Sequence, residues 1–432
     1  MRDSIREAAS DIPVIASVDV LVCGGGPAGV GAAILAARQG VSVMLVEAQG
    51  CLGGIATAGM MSHWGGRSSS IVLEELYDRA AALGADAGAE PANNVKRNVI
   101  YHDVQKIALD QMAAEAGVRV LYYTQVCKAV LEERTVIGAI VENKSGRGFI
   151  RAKRVIDSTG DGDVAYSAGV PHIKGRETDG RMQPCTLMFN VGGVDYDRAV
   201  FPPSFETRVE TEKGELQALA KELLPFPAGH VLLYRQPTPG TVCVNMTNAI
   251  EIDGTDAESL TRATVQCRSQ VIPIVKFLRE YVPGYEHCWL QSTASLIGVR
   301  ETRHFVGLAS LSADDILAAE VHPDWVVRRA YFNFDVHNLT GASLDKTGVQ
   351  KQFTQKKDYT IPYGCLLPQG VEGLLLSGRN ISGSHLAHSN FRIMSVCMAL
   401  GEAAGVAAAL SIKENKRLSE VAVAKIQEIV GK

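Results

Sequence analysis

The chain has 432 residues, a formal net charge of −4, 46% hydrophobic residues and 21% charged residues. A chain of this length exceeds one compact core, so we expect at least two domains. The small net charge and the lack of any Lys/Arg run argue against nucleic-acid binding.

Membrane insertion, secretion and metal binding are also disfavoured. The longest apolar stretches, such as Val18–Cys23 and Val41–Val46, have strand length, and the mixed-charge N-terminus has no apolar signal-peptide core. No two of the nine cysteines lie within four residues of each other, which excludes the close spacing of zinc and iron–sulfur sites. We expect a cytoplasmic protein with reduced thiols, no metal and no membrane contact.

The first predicted elements form a strand–turn–helix–strand unit. The buried strand Val18–Cys23 runs into the turn Gly24–Gly29, which has the pattern G-x-G-x-x-G. An alanine-rich helix follows over Val30–Gln39, and a second apolar strand over Val41–Val46. This order is typical of a dinucleotide-binding βαβ unit.

Each glycine of the turn has a separate task. Gly24 allows the tight turn, Gly26 lets the backbone approach a pyrophosphate, and Gly29 lets the helix pack on the strand. The helix start, with Pro27 and Ala28, then faces the phosphate charge. We therefore expect all five residues to lie at the cofactor.

The residues after the second strand indicate which nucleotide is bound. Glu47 lies 23 residues after Gly24, where a carboxylate accepts hydrogen bonds from ribose hydroxyls and repels the extra phosphate of NADP. The loop from Ala48 carries Gly53-Gly54, a pair that resembles the flavoprotein pattern in which this loop passes the flavin diphosphate and ribityl chain. The prediction is FAD, with NAD as the alternative.

The pattern then changes from helices to short strands. A meander of three strands before the last strand of a parallel sheet resembles the glutathione-reductase-like flavoprotein fold, and Val126, which opens the meander, is included among the expected cofactor contacts. The predicted elements are helices Glu74–Leu83 and Asp103–Ala116, and strands Val118–Tyr123, Val126–Leu131, Thr135–Val141, Phe149–Arg151 and Arg154–Asp157.

The rest of the chain divides into an insertion and a return to the cofactor. Mixed signals over residues 168–359 predict an inserted α+β substrate domain with a mostly antiparallel sheet, including strands Pro184–Val191 and Thr241–Met246 and the helix Ala257–Val282. A buried strand, Gly373–Ser377, and a helix rich in small residues, Phe391–Leu410, follow. We expect an α/β fold, with a Rossmann-like FAD-binding domain formed by residues 1–167 and 360–432.

Four motifs, taken in order, resemble the FAD_oxidored group of FAD-dependent oxidoreductases, distant relatives of the succinate dehydrogenase/fumarate reductase flavoproteins. The resemblance implies non-covalent FAD, with Gly160 and Asp161 at its ribityl or diphosphate part, and it implies no substrate. It places Gly378, Arg379, Asn380, Met394 and Ser395 near the flavin. The motifs are Gly24–Gly29 with Glu47 and Gly53-Gly54; Thr159–Asp163; Gly298–Arg303; and Ile361-Pro-Tyr with Gly378–Ser382 and His385–Gly405.

Candidate residues for proton transfer and substrate binding are His63, His385, His388, Arg392 and Arg303. An arginine beside a flavin can fix a substrate carboxylate, and a histidine can accept a proton. The alternatives are structural: a loop hydrogen bond for His63, histidines that hold a turn, and ion pairs for the arginines. His337 fits a loop role better.

These residues favour an FAD enzyme that transfers a hydride to or from flavin N5 and acts on a small polar, anionic or hydroxylated substrate. Its second partner is an electron acceptor or donor that the sequence does not identify, and its state as a monomer or homo-oligomer is open. The alternatives are an NAD-dependent dehydrogenase and a non-catalytic flavin-binding protein.

Overall fold

The computed structural model describes residues 9–84, 98–342 and 355–431, with Ile5 and Glu7. The Lys-rich sequence of Asp345–Asp358 predicts an exposed loop, and most of this stretch lies outside the described residues. The strands are β1 (Val14–Cys23), β2 (Val43–Val46), β3 (Arg119–Leu121), β4 (Gln125–Glu132), β5 (Thr135–Asn143), β6 (Gly146–Asp157), β7 (His172–Lys174), β8 (Phe189–Gly192), β9 (Glu210–Thr211), β10 (Gly214–Glu215), β11 (Leu233–Arg235), β12 (Val242–Val244), β13 (Trp289–Thr293), β14 (Arg303–Phe305), β15 (Trp325–Ala330), β16 (Tyr359–Pro362) and β17 (Leu374–Leu376).

Ten helices lie in the described part of the chain. They are α1 (Pro27–Arg38), α2 (Ile71–Ala82), α3 (His102–Glu115), α4 (Asp163–Ser167), α5 (Leu216–Leu223), α6 (Ala257–Tyr281), α7 (Ala313–Ala318), α8 (His385–Phe391), α9 (Met394–Lys413) and α10 (Val423–Val430). Short 3-10 turns lie at Gly54–Ala56, Tyr363–Leu366 and Leu418–Glu420.

The main sheet has seven strands in the order β3-β2-β1-β6-β5-β4, with β17 also paired to β6. Strands β1, β2, β3, β6 and β17 pair in parallel, whereas β4, β5 and β6 pair antiparallel. The predicted α/β class, a parallel Rossmann-like sheet with an inserted meander, is confirmed.

The prediction of two separate strands, Phe149–Arg151 and Arg154–Asp157, is wrong, because both belong to β6. Ala152 is buried between the exposed Arg151 and Lys153, which is the alternation of one continuous strand. The charged residues that suggested a break lie on the solvent face. Along one edge β6 pairs first with β5 and then, from Val155, with β17.

Close contact between helices α1 and α9 fixes the two cofactor segments together. A Cβ atom on Gly401 would lie 1.8 Å from the Ala28 carbonyl oxygen, and one on Gly405 would lie 2.2 Å from that of Ala32. Helix α9 is long and apolar enough to cross a membrane, but 89% of its apolar window is buried inside the fold. Its small residues allow this close packing, and α9 is therefore a central helix of the core.

The predicted helix Phe391–Leu410 begins three residues later in the structure, as α9, and the separate helix α8 precedes it. Helix α8 ends at Phe391, and α9 begins at Met394 after Ile393 takes an extended conformation. The helix pattern continues across this point because Phe391, Ile393 and Met394 are all apolar and buried, so periodicity alone does not show the break.

A second core surrounds an antiparallel sheet of four strands, β11-β12-β8-β13, against which α5 and α6 pack. Strand β8 begins later than predicted, since Cys185 and Thr186 instead form isolated bridges to Ala249 and Gly298. From Phe305 onward the chain rejoins the first core, with Ile316 and Phe334 buried there.

Candidate cofactor and substrate site

The turn between β1 and α1 has the geometry of a phosphate cradle. Gly24 has φ +94°, and a Cβ atom there would lie 2.4 Å from the Ser158 carbonyl oxygen. A Cβ atom on Gly29 would lie 1.8 Å from the Gly24 carbonyl oxygen. Among the described residues, no atom lies within 4 Å of a Cβ built on Gly26. Two glycines thus serve packing, and Gly26 faces open space.

Glu47, at the end of β2, is 8% exposed and holds the turn in place. Its carboxylate accepts hydrogen bonds from the backbone N–H groups of Gly25 at 2.6 Å and Gln49 at 2.7 Å. The exposed Ala48 follows it, and the Thr124 N–H donates to the Glu47 carbonyl two residues before the half-buried Val126. These residues border the place expected for an adenosine ribose.

The Gly53-Gly54 pair lies against the glycine turn. Both residues have positive φ, and a Cβ on Gly54 would lie 3.0 Å from the Gly26 Cα atom. The Gly53 N–H donates to the Gly25 carbonyl at 2.8 Å. The two glycine segments therefore pack directly against each other.

The turn that contains Asp161 is tied to three distant side chains. The Asp161 carboxylate accepts hydrogen bonds from Thr302 Oγ1 at 2.7 Å and Arg379 Nη2 at 2.9 Å. Its backbone carbonyl accepts from Arg303 Nη1 at 3.0 Å. Gly160, with φ +85°, lies so close to Arg379 that a Cβ would come within 2.5 Å of Nη2. The turn is held rigidly at the end of β6.

The C-terminal turn joins the same place from β17. The Asn380 side chain accepts from the Ser377 N–H and donates to the Asp157 carbonyl, both at 3.0 Å. A Cβ on Gly378 would lie 3.0 Å from the Cβ of Ala28, at the start of α1. The two turns and the first helix thus meet at one edge of the sheet, as the carboxyl ends of parallel strands do.

Helix α9 points its N-terminus toward this edge. No side chain caps that end, which carries the partial positive charge of the helix. Ser395 Oγ donates to the Gly65 carbonyl at 2.9 Å, which ties the first turn, with Met394, to the loop after Gly53-Gly54. Free N–H groups here suit an electron-rich carbonyl edge such as that of a flavin.

The residues around the cradle fit FAD. At the turns that follow β6 and β17, three buried polar atoms have no hydrogen-bond partner within the described part of the chain, namely Ser158 Oγ, Ser377 Oγ and Arg379 Nη1. Buried polar atoms are normally paired, so these three mark where the diphosphate and ribityl oxygens would be received. Glu47, Gly26, Asp161 and the α9 N-terminus would hold the successive parts of the dinucleotide.

A buried histidine–glutamate pair lies next to this cradle. His385 Nδ1 is 2.6 Å from Glu301 Oε1, and their side chains are 3% and 0% exposed. Glu301 Oε2 also accepts from the Gln183 N–H at 3.2 Å. Thr302, the next residue, bonds Asp161. The pair can therefore hold one imidazole nitrogen while the other faces a substrate.

Arg392 contacts a carboxylate that the sequence did not single out. Its Nη2 atom lies 3.0 Å from both the backbone oxygen and Oδ2 of Asp335, and 3.5 Å from Gln183 Oε1. His337 lies 3.3 Å from the same Oδ2. Burial alone would raise the pKa of Asp335, but His337 and Arg392 outweigh it and hold this pKa below its ordinary value.

Arg300, on the segment that also carries Glu301, lies near these residues. Its Nη1 atom donates to the Pro184 carbonyl at 2.5 Å. Burial and the neighbouring charge of Arg392 lower the pKa of Arg300 to about 10, so it stays protonated at neutral pH. Burial and Arg300 lower the pKa of His337 to about 4, so this imidazole is neutral.

A second neutral histidine, His230, completes the polar wall of the site. The other residues of this wall described above are Gln183, Arg300, Asp335, His337 and Arg392. Burial lowers its pKa to about 3. Its Nε2 atom lies 3.1 Å from the Asn245 carbonyl and must be the protonated nitrogen, because a carbonyl only accepts. Nδ1 is then a buried acceptor without a partner among the described residues, as is Asn245 Oδ1. The Phe205 ring lies between His230 and His337, with ring centroids 5.1 and 5.3 Å away.

The contacts of two other candidates, His63 and Arg303, favour structural roles. His63 pairs with Val99 through the backbone, and its ring lies 5.1 Å from that of Tyr234. Arg303 pairs with Asp163 at 3.1 Å and stacks on Tyr166, so its contacts favour the ion-pair interpretation.

His388 is buried against Phe391, and burial holds its pKa well below the ordinary value. It is therefore a neutral core histidine next to the site. The structure thus connects His385 to the Asp161 turn through Glu301 and Thr302, and Arg303 contacts that turn directly, whereas His388 lies in the core.

Sequence reasoning missed most of the wall opposite the cradle. Gln183, His230, Tyr234 and Asp335 come from separate parts of the inserted segment, and none carries a recognisable spacing. The one available signal was the short pattern Asp335-Val-His337, which was assigned to a loop. Only the folded arrangement places these side chains together.

Comparison with known proteins gives one family. The profile of the family described as FAD dependent oxidoreductase matches residues 19–430. Digeranylgeranylglycerophospholipid reductase 1 of Methanococcoides burtonii is 27% identical over 201 residues, 42% of this chain and 46% of the relative. The enzyme of the same name from Methanopyrus kandleri is 30% identical over 198 residues, 44% of this chain and 51% of the relative. The matches span about half the length of these curated relatives.

Solved structures share the fold at low identity. A geranylgeranyl bacteriochlorophyll reductase-like protein from Thermoplasma acidophilum is 15% identical, with a TM-score of 0.50 over 96% of this chain and 83% of that one. The flavin-dependent brominase Bmp2 is 12% identical, with the same TM-score over 96% of this chain and 84% of that one. At these identities the likeness shows the fold alone.

Proposed function

The chain belongs to the family of FAD-dependent oxidoreductases, and from this premise we propose that it oxidises or reduces a small polar substrate bound between the cofactor cradle and the inserted antiparallel sheet. Membership in this family makes the protein an enzyme that uses FAD. It also sets aside the NAD-dependent and non-catalytic alternatives.

The observation that carries the proposal is the buried His385–Glu301 pair, 2.6 Å apart, joined through Thr302 to the Asp161 turn. When bound, FAD supplies a hydride acceptor or donor at N5. In the oxidising direction, the imidazole nitrogen of His385 that Glu301 does not hold would accept the substrate hydroxyl proton. Glu301 keeps the imidazole oriented through Nδ1. In the reducing direction His385 returns the proton.

The polar lining supports a substrate that is hydroxylated or anionic. His230 Nδ1 and Asn245 Oδ1 are buried acceptors without a partner among the described residues, and a substrate hydroxyl would satisfy one of them. An apolar isoprenoid chain, as in the names of the curated relatives, is the competing substrate, but it would leave these acceptors unpaired.

The test begins with the purified protein. Its visible spectrum should show oxidised flavin, and acid should release FAD into the supernatant. Hydroxylated and anionic compounds are then screened anaerobically for bleaching of that flavin. We expect His385→Asn to slow bleaching by about 100-fold, with His287→Asn, on the surface of the inserted segment, as the matched control. Equal rates for both variants would contradict the role of His385.

A further inference from the structure

We infer that Arg300 and Arg392 form a subsite for a carboxylate of the substrate. The inference deepens the proposed function, on which it rests for the position of the substrate beside the flavin. The arginine cluster is defined here as Gln183, His230, Arg300, Asp335, His337 and Arg392. It lies between the segment around Glu301 and the entry to helix α9.

The charges within the arginine cluster do not balance. Arg300 and Arg392 are both cationic, while Asp335 is the one carboxylate of the cluster. His230 and His337 are neutral at pH 7, because burial lowers the pKa of each to about 3 and about 4. Within the arginine cluster the guanidinium groups thus outnumber the carboxylate by one, which favours an anion as ligand.

Glu301, the residue after Arg300, has both carboxylate oxygens in hydrogen bonds. Glu301 accepts from His385 Nδ1 at 2.6 Å and from the Gln183 N–H at 3.2 Å. The two arginines are close enough to lower the pKa of Arg300, which is the repulsion that an anion between them would relieve. An anionic ligand would therefore make the close approach of the two guanidinium groups more favourable.

Donors without partners point to the same ligand. Arg392 Nε and Gln183 Nε2 are buried, and neither has a hydrogen-bond partner among residues 9–84, 98–342 and 355–431. Both can only donate. Gln183 is 1% exposed, and its Oε1 is already used by Arg392 and by the His337 N–H. A carboxylate offers two acceptor oxygens, which matches two orphaned donors beside two guanidinium groups.

The position of Arg392 places this subsite next to the cofactor. It lies two residues before Met394, where α9 begins, and its backbone oxygen accepts from Cys397 Sγ in the first turn of that helix. The same helix end is the part of the fold that suits a flavin carbonyl edge. A carboxylate held by Arg392 would therefore direct the rest of the substrate toward the flavin.

The experiment measures binding without turnover. FAD-loaded protein is titrated with lactate and benzoate, and with lactamide and benzamide, which differ from them only in the charged group. Binding is read by calorimetry and by the shift of the flavin absorption band. We expect the acids to bind and the amides to bind at least ~10-fold more weakly, because the amides carry no charge.

Substitutions give effects of opposite sign. Arg392→Met and Arg300→Met should weaken benzoate binding ~10-fold or more, and Arg392→Lys should restore part of it. Asp335→Asn should tighten benzoate binding. It removes the internal anion that competes for the arginines, and it preserves the volume of the side chain. Arg198→Met removes an exposed charge of the same segment, one paired with Glu286, and should change nothing.

The outcomes separate this inference from the proposed function. Equal affinity for acids and amides, or unchanged benzoate binding in both arginine variants, would overturn the subsite. Weaker binding after Asp335→Asn would overturn it as well, even if an arginine variant fails to fold. Acids that bind through these arginines while no compound ever bleaches the flavin would leave the subsite standing and defeat the proposed redox function instead.

Discussion

His385 Nδ1 and Glu301 Oε1 lie 2.6 Å apart although 84 positions separate the two residues in the chain. The first residue begins a helix of the cofactor domain, and the second follows the inserted sheet. Their contact joins these two parts directly at the site where we expect proton transfer. The role of this contact can be tested by substitution of Glu301.

Glu301→Gln should lower the rate of substrate-dependent flavin reduction by about 100-fold with little change in KM. The amide keeps the volume but no longer compensates a proton on His385, so Glu301 acts as a positioning residue. Glu301→Asp should recover part of the rate. Stopped-flow reduction of the flavin measures both, and Glu286→Gln, on the surface, is the control. If Glu301→Gln lowers the stability of the protein but leaves the rate of flavin reduction unchanged, the role of Glu301 is purely structural.

Gly26→Ala and Gly24→Ala should fail in different ways. The Cβ added to Gly26 meets no described atom within 4 Å, so the variant should fold and lose FAD affinity, because the methyl group occupies the cradle. The Cβ added to Gly24 would lie 2.4 Å from Ser158 O at φ +94°, so that variant should lose stability as well. Thermal unfolding of the FAD-free proteins and FAD titration separate the two. Tight FAD binding by Gly26→Ala would place the cofactor elsewhere.

Glu402 should make stability depend on pH. Its buried carboxylate, held by Ser70 Oγ and the N–H groups of Ile71 and Val72, has its pKa raised by burial to about 7 from an ordinary 4.5. The folded state then holds this proton more tightly than the unfolded state. The free energy of unfolding therefore falls as pH rises from about 4.5 to about 7 and is level above it.

Glu402→Gln should flatten that slope, since the amide does not titrate. The measurement is the difference between variant and wild-type Tm at several pH values between 5 and 8. Glu258→Gln, on the exposed face of α6, serves as control. The same slope in Glu402→Gln and wild type would show that another group titrates in this range.

Gly401→Ala should separate helices α1 and α9. The added methyl group would lie 1.8 Å from the Ala28 carbonyl, so the helices must move apart, at a cost of roughly 1–3 kcal/mol or more. Because α1 starts at the cradle, FAD retention should fall along with Tm. A variant with normal Tm and full FAD content would show that α1 and α9 tolerate a wider spacing.

The sequence predicted what depends on local spacing. The turn Gly24–Gly29 and Glu47 lie within one βαβ unit, so their chemistry is visible in chain order. Two boundaries were predicted wrongly for local reasons as well. Charged residues on the solvent face of β6 suggested a break, and buried apolar residues around Ile393 hid one.

The wall opposite the cradle could not be predicted in the same way. Asp335 meets Arg392 across 57 positions, and Gln183 meets it across 209. Such contacts depend on how the inserted sheet packs against the cofactor domain, which leaves no periodic pattern in the sequence. Arg300 and Glu301 were noted as a motif, but their separate partners required the fold.

Residues 300–303 reach three different places from four consecutive positions. Arg300 belongs to the arginine cluster, Glu301 holds His385, and Thr302 and Arg303 bond Asp161 at the cofactor turn. Cofactor contacts at the Asp161 turn and a carboxylate at Arg300 would therefore act on the same short backbone segment. Thermodynamic linkage is reciprocal, so FAD and a carboxylate should each raise the affinity for the other by the same factor. The enzyme would then favour substrate capture only in its flavin-loaded form.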